Sequence, residues 1–141
     1  MKKVLIVCIV IISIFSITGC NRVDNSMKVS DDKMINVIID GKTYKLNLES
    51  NTTVDEFIRL LPKEYTMNEL NGNEKYVYIN ESLSTNKYKP KRIEKGDVML
   101  YGDNCIVIFY KSFDTNYSYT KIGHIDDLDD LGNKDIVVRF E

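Results

Sequence analysis

The stretch Gly96–Phe113, GDVMLYGDNCIVIFYKSF, decides the fold. It is the most apolar run outside the N-terminus. Two strand-like segments, Val98–Tyr101 and Cys105–Tyr110, flank the turn residues Gly102-Asp103-Asn104. Successive side chains of a strand point to opposite faces. Cys105, Val107 and Phe109 therefore share one face, and Ile106, Ile108 and Tyr110 share the other. A strand apolar on both faces is covered on both sides, which places it at the middle of a β domain.

Outward from that pair, the same alternation and turn chemistry recur. Met34–Asp40 and Thr43–Leu48 read as a hairpin turning at Gly41-Lys42, with Tyr44, Leu46 and Leu48 alternating with polar residues. Asn51-Thr52-Thr53 opens the one strong helix signal. Thr53 and Glu56 have the spacing of a capping box. Val54, Phe57, Ile58 and Leu61 form its apolar face, and Pro62 closes it. Tyr65–Leu70 and Lys75–Ile79 are strand candidates around the turn Asn71-Gly72-Asn73. Asn80–Lys95, with Pro90 and many small polar residues, reads as a long loop. After the turn Asp114–Asn116, Tyr117–Ile125 is a strand candidate broken at Gly123. Ile125, Leu128 and Leu131, three apart among aspartates, predict a short second helical segment ended by Gly132-Asn133. Ile136–Phe140 is a closing strand. Seven or eight short strands with one helix suggest a barrel or a sandwich, and closure into a barrel removes exposed sheet edges.

The N-terminus reads as an address. Met1-Lys2-Lys3 is followed by the apolar run Val4–Ile17 and then Thr18-Gly19-Cys20. A positive start, a short apolar centre and small residues at a cut site make a secretory signal. The apolar run is shorter than the roughly 20 residues of a membrane span. Ile17-Thr18-Gly19-Cys20 resembles the lipobox of bacterial lipoproteins. That resemblance implies a signal peptide over residues 1–19 and lipidation of Cys20, for instance with palmitate. Two acyl chains anchor stably where one does not. The expected location is the outer face of the bacterial cell membrane, exported and lipid-anchored. Cys8 leaves with the signal and Cys20 carries lipid, so Cys105 is left without an intrachain partner. Residues 20–33 read as lipidated Cys and tether, since Asn21–Lys33 is polar and aperiodic. Thirteen such residues reach at most about 45 Å, and average nearer 20 Å as a coil. The folded domain is expected over residues 34–141, enough for one core without staples.

Charge narrows the partners. The chain carries 19 basic and 21 acidic residues; without Lys2 and Lys3 the basic count falls to 17. Nothing in that balance forms the basic footprint of a nucleic-acid binder. Neither does the sequence hold a cofactor motif.

The runs Leu70–Tyr76, Gly96–Gly102, Cys105–Tyr110, Tyr117–Gly123 and Ile136–Phe140 together resemble the bacterial cyclophilin-like domain family in order and spacing. The resemblance covers essentially all of Met34–Glu141. It implies a mainly β, cyclophilin-like closed β-barrel of about eight strands with one clear helix. Members of the family are largely of unknown function, so it carries the fold further than the activity.

Several features invite chemistry. True cyclophilins are peptidyl-prolyl isomerases that use an arginine beside a phenylalanine. Their phenylalanine-histidine-arginine and asparagine-glycine-serine-glutamine-phenylalanine-phenylalanine runs are missing here, so no catalytic residue carries over onto Arg59, Arg92 or Arg139. His124 is the single histidine and could serve as base to Cys105. Against that, a cysteine in so apolar a strand behaves as an inert core residue. Asp126, Asp127, Asp129, Asp130 and Asp135 fail the calcium-loop pattern, because Leu131 and Val138 fall where oxygen ligands belong. They read as a solvated face. Lys87, Lys89, Lys91, Arg92 and Lys95 form the one basic cluster, either a solvated loop or a contact for anionic headgroups or wall polymers. Tyrosine joins apolar area to a polar tip. Tyr76, Tyr78, Tyr117 and Tyr119 are thus candidates for a ligand groove, or equally for barrel structure. The leading expectation is a membrane-tethered, non-catalytic binding domain for a peptide, a wall polymer or a small molecule. The alternative is an envelope prolyl isomerase or folding factor.

Overall fold

A computed structural model of the chain describes residues 33–141. The expected signal peptide, the expected lipidation site Cys20 and all but the last residue of the expected tether lie outside the described residues. The order is β1 (Met34–Ile39), β2 (Lys42–Leu48), α1 (Thr52–Ile58), β3 (Lys63–Leu70), β4 (Glu74–Tyr78), β5 (Arg92–Ile93), β6 (Asp97–Tyr101), β7 (Cys105–Phe109), β8 (Phe113–Asp114), β9 (Thr120–Ile125) and β10 (Ile136–Phe140). Eight strands close into an antiparallel barrel in the order β1-β10-β3-β4-β7-β6-β9-β2, while β5 and β8 pair outside it. The expected mainly β, closed barrel with one helix is the fold observed.

Strand β7 is buried along its whole length, between β4 and β6. Ile106, Ile108 and Tyr110 point into the barrel, where they meet Val37, Leu46, Met67, Val98, Leu100, Val138 and Phe140. Cys105, Val107 and Phe109 form a second cluster outside it with Ile93, Met99, Tyr119 and Phe113. The cover for that outer face comes from the segment around β5 and β8. The long loop predicted over Asn80–Lys95 therefore has a structural duty. It lays Ile93 on the barrel wall and pairs with Phe113-Asp114.

The helix packs Val54 and Phe57 against the interior, with Phe57 edge-on to Phe140 at 5.3 Å. Asn51, rather than Thr53, caps it, accepting a hydrogen bond from the Val54 amide at 2.9 Å. Both residues of the expected capping box turn to Ser84 instead. Thr53 Oγ1 donates to the Ser84 carbonyl and Glu56 accepts from the Ser84 amide and hydroxyl. The helix also stops at Ile58, short of Pro62.

Two expectations are corrected. Strand β9 runs through Gly123 without a break. A Cβ there would lie 2.1 Å from the Asn47 carbonyl oxygen, so glycine lets β2 come close. The second helical segment is not formed: residues 126–135 are turns and irregular chain. Asp127 takes a left-handed conformation (φ 54°), which breaks helical continuity. The aspartates are engaged with the barrel instead. Asp126 accepts from Asn47 Nδ2, Asp129 from Lys42 Nζ and the Tyr44 hydroxyl, and Asp135 from the Glu69 amide. Leu128 is buried in the core as the three-residue spacing expected, but from a loop.

A polar network closes the barrel near the β3–β4 turn. Lys75 is fully buried, and its ammonium donates to Glu69 and to the carbonyls of Gly132 (2.6 Å) and Lys134 (2.7 Å). Three donors thus meet three acceptors. Glu69 also accepts from the Tyr110 hydroxyl and the Gly72 amide. Burial pushes the Glu69 carboxyl up, but the bonds from Lys75, Tyr110 and Gly72 outweigh it and hold its pKa below the ordinary value. Breaking a buried pair by removing one partner costs about 3–5 kcal/mol. Lys75→Met is expected to lose stability of that order in urea denaturation. A loss under about 1 kcal/mol would show that the network does not hold the loop to the barrel.

Candidate functional site

The outer face of the β4-β7-β6 wall carries the site. Glu74, Tyr76 and Tyr78 alternate along β4 and so share a face. In register with β7, Glu74 lies opposite Phe109, Tyr76 opposite Val107 and Tyr78 opposite Cys105. Across β7, Met99 lies opposite Val107 and Tyr101 opposite Cys105. Since Cys105, Val107 and Phe109 face outward, so do these partners. The segment Phe113–Tyr119 arches beside them, held by the Tyr88–Tyr119 bridge and by the Thr115 amide on the Lys91 carbonyl at 2.8 Å.

Between wall and arch lies a cavity of about 730 Å³. That is the size of a small-molecule pocket. All four tyrosines singled out from the sequence line it, joined by Tyr101, Glu74, Asn73, Cys105, Val107 and the residues of the arch. The rings meet edge to face: Tyr76 with Tyr78 at 6.0 Å and Tyr101 with Tyr117 at 6.1 Å. Tyr101 also tilts against Tyr119 at 5.7 Å. Tyr78 is 63% exposed and Tyr117 64%, so both are open to a ligand, whereas Tyr119 at 5% belongs to the packing beneath. Tyr101 escaped the sequence reading because it ends a strand next to a turn. Its role follows only from the register that sets it opposite Cys105.

Glu74 also went unnoticed, as one acidic residue among many. It is half-buried at one end of the groove. No side chain or amide among the described residues donates a hydrogen bond to its carboxylate. Burial, and next the charge of Glu69, raise its pKa above the ordinary carboxylate value. Asp114, the other acidic residue of the lining, is exposed and paired with Arg92 at 3.0 Å. Among the described residues, no lysine or arginine lines this groove. Lys87 stands at a second, shallower concavity of about 410 Å³ on the far side of Tyr101 and Tyr117.

Cys105 is almost wholly buried, and desolvation pushes its thiol up to about 11, against a lowering from the neighbouring Tyr78 hydroxyl. A thiol so raised is a poor nucleophile at neutral pH. The Cys105–His124 pairing does not form. Cys105 pairs with Tyr101 at one end of β6 and His124 with Asp97 at the other, separated by about 13 Å of strand. The imidazole instead bonds through Nδ1 to the buried Asp97 at 2.9 Å, with Asp126 3.8 Å from Nε2. Asp97 in turn accepts from the Glu94 amide at 2.9 Å, which ties this end of β6 to the loop before it.

The basic cluster divides. Arg92 is paired with Glu94 and Asp114, and Lys95 uses its amide to bond Ser112. Lys87, Lys89 and Lys91 are exposed and make no ion pair among the described residues. Of the aspartates, no three gather with other ligand types into a metal-binding group among the described residues.

Fold and groove together define a class: a closed β-barrel with an outer-wall cavity roofed by a long connection. Residues 37–141 match the model of the cyclophilin-like family, and the chain belongs to that family. Among solved structures it is similar to a hypothetical protein from Archaeoglobus fulgidus, known from its solution structure. The two share 18% identity and a TM-score of 0.51, over 78% of this chain and 94% of that one, a likeness of fold alone. No curated protein matches the sequence.

The Glu74 environment has a stability consequence. A carboxyl whose folded pKa is raised binds its proton more tightly in the folded state, so its ionisation opposes folding. The penalty is absent below the unfolded value near 4.3, and grows as pH rises through the folded pKa. Glu74→Gln is therefore expected to raise the melting temperature at pH 7 and to leave it unchanged below about pH 4. Thermal unfolding at both pH values checks this. A destabilised variant at pH 7 would mean that the carboxylate is satisfied within the fold.

Proposed function

We propose that this chain is an extracytoplasmic lipoprotein whose cyclophilin-like barrel binds a ligand in the tyrosine-lined groove without catalysing a reaction on it. The observation that carries this is the groove itself, where exposed aromatic rings and one unpartnered carboxylate converge on a cavity of about 730 Å³. Large rigid rings left open beside a concavity suit recognition better than packing. The nearest nucleophile, Cys105, is held protonated, and Arg92 is committed to two carboxylates. Neither favours chemistry on a bound group.

The proposed anchor is a diacylated Cys20, supported by the lipobox-like run Ile17–Cys20. Lys87, Lys89 and Lys91 would then add attraction to anionic headgroups, each worth about 1 kcal/mol near the surface.

A protease-coupled proline-isomerisation assay on residues 33–141 is expected to give background turnover only. Activity well above background that is lost in Tyr101→Ala would overturn the non-catalytic reading in favour of an isomerase. For the anchor, Cys20→Ala should abolish palmitate labelling and release the protein from the membrane fraction. Any association left should vanish at high salt, as screening of the lysines requires. Labelling that survives the substitution would refute the lipobox.

A further inference from the structure

The charge of the groove says what it takes. Among the described residues, its lining holds two carboxylates and no cationic side chain. Asp114 is neutralised by Arg92, which leaves Glu74 as the one uncompensated charge. A half-buried carboxylate without a donor is costly to keep, and removing it would be neutral or favourable for the fold alone. Beside it, the Asn73 side-chain oxygen is buried and accepts no hydrogen bond. The Asn73 oxygen has almost no exposed surface, so the acceptor open to the cavity at this end is the Glu74 carboxylate. Tyr76, Tyr78, Tyr101 and Tyr117 give the lining its aromatic area, beside Leu70, Val107 and the neutral polar Asn71, Thr115 and Asn116, and tyrosine faces attract cations within about 6 Å of the ring centre. An anion would meet repulsion here and find no donor side chain of opposite charge.

We propose that the groove takes a small organic cation: a protonated amine on an apolar or aromatic body, its ammonium against Glu74 and its body among Tyr76, Tyr78, Tyr101 and Tyr117. This rests on the groove being the binding site. The size of the cavity fits a molecule rather than a chain. Strand addition by an extended peptide is closed here, because β4, β7 and β6 beneath the groove have both edges paired. The ammonium donates to Glu74 while the body packs among the tyrosine rings, so charge pairing and apolar burial act on the two ends of one molecule.

The test compares three probes by amide chemical-shift titration of the lipid-free chain from residue 33 onward, a compact unit by itself. Benzylammonium carries the charge, benzyl alcohol is its neutral near-isostere and benzoate is its opposite. Benzylammonium is expected to shift the groove amides and to bind at least about tenfold more tightly than benzyl alcohol, with benzoate weakest; tenfold corresponds to about 1.4 kcal/mol. In Glu74→Gln, whose spectrum reports that it is folded, that preference should collapse to within about twofold. Equal binding of the charged and neutral probes in the groove would overturn the cation assignment and leave the groove reading standing. So would a preference that survives in Glu74→Gln. Groove amides unmoved by all three would overturn both. A lysine-containing dipeptide amide that binds the groove more tightly than benzylammonium would assign the charge to a peptide and overturn the small-molecule class.

Discussion

Strand β7 has no polar face, and this constraint organises the molecule. Its five residues alternate between two sides, and both sides are apolar. One side is satisfied by closing the barrel, which brings Ile106 and Ile108 into a core shared by strands from both ends of the chain. The other side faces outward, where a bare apolar strip would be exposed to water. Burying a Val or Phe side chain contributes roughly 1.5–3 kcal/mol, so the strip recruits a cover. The cover is the connection between β4 and β6 together with the arch after β7, which bring Ile93, Phe113 and Tyr119 onto Val107 and Phe109. The groove is where that cover stops short.

The site is therefore a by-product of how a two-faced strand is clothed. Where the arch lies against the wall, Tyr119 and Phe113 are packing. Where it lifts away, Tyr78, Tyr101 and Tyr117 remain open. The buried Lys75–Glu69–Tyr110 network lies on the inner side of the same strand as Glu74. Alternation along β4 sends Lys75 inward to three acceptors and Glu74 outward to none. Two neighbouring charged residues thus have opposite fates: one locks the loop before β10 to the barrel, and the other supplies the charge of the groove.

Most of the barrel was legible in the primary sequence, because strands announce themselves by a period of two and by the turns between them. The hairpin of β1 and β2, the central pair and the closing strand stand where alternation puts them. The errors share a cause. Thr53 and Glu56 have the right spacing for a capping box, but Ser84, 28 residues from Glu56, competes for both. Ile125, Leu128 and Leu131 have helical spacing, but Ile125 ends β9, and a left-handed Asp127 with side-chain bonds to Lys42, Tyr44 and Asn47 holds the chain after it out of a helix. Gly123 looks like a break, yet it serves a close contact with Asn47 of another strand. In each case a partner distant in sequence overrode a local signal.

The groove divides in the same way. Strand period, turn residues and the doubly apolar run are local properties; they narrowed the fold to a barrel or a sandwich, the resemblance to the family implied the closed barrel, and residue type supplied the tyrosine candidates. Which tyrosines are open, and that Glu74 and Tyr101 join them, depends on register between β4, β7 and β6 and on the path of the arch. Register couples residues about 30 positions apart, such as Tyr76 with Val107, and no spacing within a single strand encodes it. Cys105 and His124 show the converse: suited by residue type to act together, they are set at opposite ends of β6 by the pairing of its two neighbours.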